Sequence, residues 1–182
     1  MEMTEQGPEP RGENTVNGFV VVDGAESFID FLVAVFDATE REEARTPDFH
    51  AADGTLIHAE VKIGNSLIMV ADRKADWPFT PALTQVYVAD PEETLRRAVA
   101  RGATVVTPAS PFYGGYGIAR FLDPWHNLWW LFFPAAETGP AAGEEPSWEE
   151  PAEPGPVYAT LLEAMATLAA PARSSRRSSA GE

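Results

Sequence analysis

With 182 residues the chain has the size of one domain with appendages, long enough to bury a core without covalent staples. It contains no cysteine, which excludes a disulfide scaffold, a thiolate metal site and a cysteine nucleophile. The net charge of −15 at pH 7, with no basic patch, excludes a nucleic-acid partner gripped by its phosphates.

Residues 1–14 read as a disordered leader, with Glu2, Glu5, Glu9 and Glu13 against Arg11. The basic and apolar regions of a secretory signal are missing, and no apolar run reaches the roughly 18–20 residues that span a bilayer. A cytoplasmic location without membrane contact is therefore expected. A folded domain is predicted over residues 15–134. Its first strand candidate is the valine-rich segment 15–22. Asp23 with Glu26 three residues on reads as a capping box. Phe28, Phe31, Leu32, Val35 and Phe36 then recur at helical spacing. A polar strand near 39–45 is followed by the Asp53-Gly54 turn signal. Residues 55–63 alternate, with Ile57, Ala59, Val61 and Ile63 on one face and Leu56, His58, Glu60 and Lys62 on the other. Gly64-Asn65 turns the chain into a strand over 66–71.

The order then repeats. Residues 82–89 form a strand candidate. Asp90, Pro91 and Glu93 supply an N-cap, a first-turn proline and a first-turn acid, and Gly102 stops the helix. Strands are predicted over 104–106, 116–122 and 128–133. The caps at Asp23 and Asp90 lie 67 residues apart, the length of a whole βαβββ module. Residues 135–155 form a linker rich in Pro, Glu, Gly and Ala. A helix is predicted over 156–170, where Val157, Leu161, Met165 and Leu168 recur at helical spacing before Pro171. Residues 171–182 are small, polar and expected to be disordered.

Two phrases carry a resemblance. One is His58-Ala59-Glu60-Val61-Lys62-Ile63-Gly64-Asn65-Ser66-Leu67-Ile68-Met69-Val70-Ala71-Asp72. The other is Phe112-Tyr113-Gly114-Gly115-Tyr116-Gly117 with Asp123-Pro124-Trp125 after it. With the repeated modules they resemble the vicinal oxygen chelate superfamily of glyoxalase I, bleomycin-resistance proteins and extradiol dioxygenases, and look most like its PhnB-like branch. The resemblance implies an α+β fold, two βαβββ modules forming a glyoxalase-like half-barrel with a concave cleft. It also implies where a site would lie. One face of each sheet meets a helix and the other faces the cleft. Alternation puts His58, Glu60, Gln85 and Tyr87 on the cleft face, and the family register puts Trp130 there.

Metal-dependent members of that superfamily take one ligand from each of four strands. The matching positions here offer Asn17, Ile68 or Met69, and Leu83, Thr84 or Gln85. The ligand glutamate of the last strand lies seven residues after the aspartate of the Asp-Pro turn, which here is Trp130. The usual glycine and histidine of that turn are His126 and Asn127. No metal site and no cofactor are expected.

His58 and Glu60 remain as catalytic candidates, roughly 6–7 Å apart by strand rise, suited to a general base with an orienting carboxylate or to lining a pocket. His50 and His126 read as loop histidines. The candidate ligand-binding residues are Gln85, Tyr87, Tyr113, Tyr116, Trp125 and Trp130, within an aromatic set that also holds Phe112, Phe132 and Phe133. Aromatic rings beside acids suit planar or cationic ligands. The first functional expectation is a metal-free protein that sequesters a small aromatic or cationic compound, as bleomycin-resistance proteins do. The alternatives are a lyase, isomerase or dioxygenase using His58 and Glu60 or an atypical metal site, and an interaction module built on the tail helix. A homodimer is expected from the exposed sheet edges of such modules.

Overall fold

A computed structural model describes residues 14–47, 51–112, 114–135 and 155–171. Residues 1–13 of the leader, His50, Tyr113, most of the linker and the last eleven residues lie outside the described residues. The chain divides between Thr80 and Pro81 into two compact units. The α+β class and the repeated strand-helix-three-strand order are both present.

In the first unit, strand β1 (Gly18–Val22) leads into helix α1 (Ala25–Phe36), followed by β2 (Thr39–Glu40), β3 (Ala59–Ile63) and β4 (Ser66–Asp72). They form an open sheet of order β1-β4-β3-β2, with β1 parallel to β4 and the other pairs antiparallel. Phe28, Phe31, Leu32 and Val35 of α1 are buried, as are Val20, Val22, Ala59, Val61, Ile68 and Val70 of the sheet. The predicted helix stripe is therefore one half of a core. The other half is the strand face that alternation assigned to it.

Three local expectations change. Asp23 and Glu26 do not make a capping box. Gly24 takes the N-cap position at φ 86° with no side-chain cap of its own, Asp23 pairs with Arg73, and Glu26 pairs with Arg45. The cap comes from the end of the neighbouring strand β4, where Asp72 Oδ1 accepts from the Gly24 and Ala25 amides at 2.8 and 2.9 Å. The strand predicted over 55–63 begins only at Ala59. Ahead of it the Leu56 amide donates to Asp72 Oδ2 at 2.8 Å, so a side chain takes the place of a ladder partner. The polar strand near 39–45 is two residues of β2 followed by a 3₁₀ turn at Glu42–Ala44.

In the second unit, β5 (Leu83–Tyr87), α2 (Pro91–Val99), β6 (Thr104–Pro111), β7 (Tyr116–Leu122) and β8 (Leu128–Pro134) repeat the plan in the order β5-β8-β7-β6. Here the predicted cap holds. Asp90 Oδ1 accepts from the Glu93 amide at 2.9 Å, Pro91 opens the helix, and Gly102 leaves it at φ 91°. β6 extends to Pro111, beyond the expected 104–106, with register shifts on either side of Thr107. In the turn after β7, His126 stands at φ 63°, a left-handed conformation at the position where the resembled family has glycine. Helix α3 (Pro156–Thr167) packs on β6 and stops three residues short of the predicted end. No helix among the described residues is long and apolar enough to cross a membrane.

Glu93 shows what the first turn of α2 contributes. Its carboxylate accepts from Arg96 Nε and Nη2 at 2.7 Å and from Arg97 Nε at 2.8 Å. These bonds hold its carboxyl at about 2, below the ordinary 4.5. A depressed folded value stabilises above the unfolded one and is lost as pH falls through the folded one. The melting-temperature advantage of wild type over Glu93→Gln is therefore expected to be full above about pH 5 and to shrink as the pH approaches 2. A constant difference across that window would remove the assignment.

Candidate functional site

Each sheet has a face under its helix and an opposite face. In the second unit the helix-side face carries Phe121, Trp129 and Leu131, all fully buried, with the Phe121 and Trp129 rings stacked 6.2 Å apart. Strand pairing then fixes the opposite face. Gln85 on β5 lies beside Trp130 on β8, Trp130 beside Arg120 on β7, and Arg120 beside Thr107 on β6. These four residues form one row across all four strands. In the next row Tyr87 stands beside Phe132 and Phe132 beside Ile118.

Arg120 is 2% exposed, and burial lowers its pKa from the ordinary arginine value. The guanidinium lies over the Trp130 ring, 4.4 Å from its centroid. Nη1 donates to Thr107 Oγ1 at 3.1 Å and to the Val157 carbonyl of α3 at 2.7 Å. Arg120 Nε and Trp130 Nε1 are both buried without a hydrogen-bond partner. The Thr107 hydroxyl is 2.7 Å from that of Thr160, so α3 sits on the β6–β7 side of this face.

The other side of the same face is open. Tyr87 is 68% exposed, and Leu83, Gln85 and Tyr116 are also exposed. Tyr87 lies 6.2 Å from Tyr116 and 6.1 Å from Phe132, with Phe112 5.9 Å beyond Phe132, all in edge-on or tilted contact. Gln85, Tyr87, Tyr116 and Trp130, expected as ligand-binding residues, thus share one face. Trp125 stands elsewhere, half-buried in the turn whose Asp123 carboxylate accepts from its amide at 2.9 Å. Tyr113 lies outside the described residues.

In the first unit, His58 and Glu60 lie on the face away from α1, as alternation requires. Glu60 shares a row with Met69 and Phe19, and the His58 and Phe19 rings are 6.3 Å apart. His58 Nε2 is 3.5 Å from Glu60 Oε1, and Arg41 Nη1 is 2.9 Å from Glu60 Oε2. Arg41 therefore pairs with the carboxylate that lies beside the imidazole.

The inherited metal positions can be tested on this geometry. The row that holds Gln85 and Trp130 contributes no carboxylate or imidazole, and it buries a guanidinium that repels a cation. Among the described residues no group of three or more His, Asp or Glu side chains could hold an ion. The residues present do not fit a divalent metal at the family's position.

Arg120 and Thr107 were not legible as site residues. Their signal is weak, an arginine on the same strand face as Ile118 and Leu122, and it acquires meaning only once residue 120 is paired with residue 130.

Comparison with known proteins agrees with the fold. Residues 14–131 match the family described as the Glyoxalase/Bleomycin resistance protein/Dioxygenase superfamily, and the chain belongs to it. It is 34% identical over 138 residues to the uncharacterized protein Rv0887c of Mycobacterium tuberculosis, covering 69% of this chain and 77% of that one. Mb0911c of Mycobacterium bovis is equally similar, 34% over 138 residues, with 69% and 86% covered. Among solved structures, TioX from Micromonospora sp. ML1 aligns with TM-score 0.52 at 23% identity, over 69% of this chain and 100% of its own. A PhnB protein from Bacillus cereus aligns with TM-score 0.52 at 21% identity, over 66% and 99%. The fosfomycin resistance protein FosX from Listeria monocytogenes aligns with TM-score 0.52 at 18% identity, over 68% and 95%. At these identities the structures speak to the fold.

Proposed function

We propose that this chain is a metal-free small-molecule-binding protein of the PhnB-like branch. It sequesters a planar aromatic compound on the face of the second sheet that carries Gln85, Tyr87, Tyr116 and Trp130. The observation that supports this reading most is the aromatic group of the exposed Tyr87 and Tyr116 with the half-buried Phe132, beside a row whose ligand position is a tryptophan stacked on arginine. Tyrosine exposed at that level offers ring faces for stacking. The buried guanidinium beside Trp130 turns the choice between an aromatic and a cationic ligand toward the aromatic one.

A thermal-shift series over planar aromatic compounds tests the reading, because a ligand at a hundred times its dissociation constant adds about 2.7 kcal/mol of stability. The expected result is a saturable upward shift that survives dialysis against a chelator and is lost in Tyr87→Ala. Binding that disappears with the chelator, or that ignores Tyr87, overturns it. The second reading, proton-transfer chemistry at His58, is favoured by the Arg41-paired Glu60 carboxylate beside that imidazole. Turnover of a bound compound that is lost in His58→Ala would select it.

A further inference from the structure

Two buried donors on the ligand face lack an acceptor, and they lie side by side. Arg120 Nε and Trp130 Nε1 make no hydrogen bond, although the guanidinium carbon is only 4.4 Å from the indole centroid. Buried N–H groups are almost always satisfied, and those that are not call for an explanation in function or in an absent partner. Arg120 carries a charge as well. No carboxylate is within salt-bridge reach of it among the described residues, and its acceptors are a threonine hydroxyl and the Val157 carbonyl. A planar guanidinium matches a carboxylate by forming paired, charge-assisted bonds, which neither of those acceptors can supply.

The carbonyl comes from a weakly seated element. α3 has twelve residues, no side-chain cap and one buried residue, Ala164, while Tyr158, Leu162 and Met165 remain exposed. A helix of that length is marginal without packing. Beside its packing on β6, its hydrogen bonds to the unit among the described residues are the Arg120–Val157 bond and the Thr107–Thr160 hydroxyl pair, and two residues past its end the Ala169 carbonyl meets His126 Nδ1.

We infer that Arg120 and Trp130 form an anion-recognising seat for an aromatic carboxylate, and that α3 holds the Nη1 edge of that guanidinium with the Val157 carbonyl until such a ligand displaces it. The inference rests on the ligand face proposed above and adds the charge of its ligand. The ring of the ligand stacks among Tyr87, Tyr116 and Phe132. Its carboxylate accepts from Arg120, which then exchanges a neutral acceptor for a charged one.

The test uses the full chain with 2-naphthoate and its uncharged counterpart 2-naphthamide, with dissociation constants read by calorimetry. Wild type is expected to bind the carboxylate at least about tenfold more tightly, as charge-assisted pairing to arginine implies. Arg120→Met is expected to bring the two ligands level. Ala164→Arg places a bulky cation on the buried side of α3 and is expected to tighten naphthoate binding several-fold by removing the competitor. Trp130→Phe keeps the ring, loses the N–H and is expected to weaken naphthoate alone. Circular dichroism checks each fold, and if Arg120→Met does not fold, the other two variants decide. Equal binding of both probes by wild type overturns the anion seat and leaves the ligand face standing. Binding of neither overturns both. A carboxylate preference that Ala164→Arg leaves unchanged overturns the role given to α3.

Discussion

Trp129→Ala is expected to destabilise the second unit by about 3–5 kcal/mol, and Trp130→Ala, one residue along, by about 1–2 kcal/mol. The two side chains leave β8 on opposite faces. Trp129 is fully buried against Phe121, and its Nε1 donates to Asp123 Oδ2 at 2.9 Å. Truncation opens a cavity and also removes a donor from a buried carboxylate. Burial already pushes the Asp123 carboxyl up, against the pull of Trp129, the Asn127 side chain and the amides of Asn127 and Trp125. The cost therefore falls at the upper end for Trp129. Trp130 is half-buried, its indole N–H has no partner to lose, and its ring lies under the Arg120 guanidinium. Urea unfolding followed by circular dichroism measures both. A larger loss for Trp130→Ala than for Trp129→Ala would mean that the faces of β8 are exchanged.

Asp72→Ala is expected to cost about 3 kcal/mol or more, because one carboxylate serves three amides. Asp72 is 6% exposed, and it holds Gly24, Ala25 and Leu56 at 2.8, 2.9 and 2.8 Å. Removing it leaves the start of α1 and the approach to β3 with unsatisfied donors in a dry setting. Asp72→Asn keeps one acceptor oxygen and is expected to lose less, about 1–2 kcal/mol. For a unit of this size each kcal/mol lowers the melting point by about 4–8 °C, so thermal melts of the two variants separate easily. An Asp72→Ala protein that melts with wild type would show that α1 is held by its apolar stripe alone.

The contrast between the two helix starts shows which features are legible in a sequence. Asp90 caps α2 from the adjacent residue, so the signal and its target share one short phrase. The cap of α1 is equally strong, but it reaches across 48 residues, and nothing near Gly24 announces it. The alternation of β3 located His58 and Glu60 because strand geometry is local. Where the strand begins was not local, since the Leu56 amide is satisfied by a side chain from β4. The face of β8 could not be read from periodicity, because all six residues from 128 to 133 are large and apolar, and the resemblance supplied the register that puts Trp130 opposite Trp129. Arg120 illustrates the remaining gap. The residues that share its row, Gln85, Trp130 and Thr107, come from three other strands, and only pairing assembles them.

The sheet orders also impose a timetable. In each unit the first strand hydrogen-bonds only to the last, β1 to β4 and β5 to β8. Gly18 waits for Ile68 to be made, and Leu83 for Leu128. Closing loops of that length is the slow, entropy-opposed part of folding, and until it happens β1 and β5 are bare strands. On the ribosome the first sheet needs nothing beyond Asp72 and can close while the second is still being translated. Arg120 is then synthesised 37 residues before the Val157 carbonyl that will accept from it. The guanidinium therefore gains this acceptor only after the chain has been made through the start of α3.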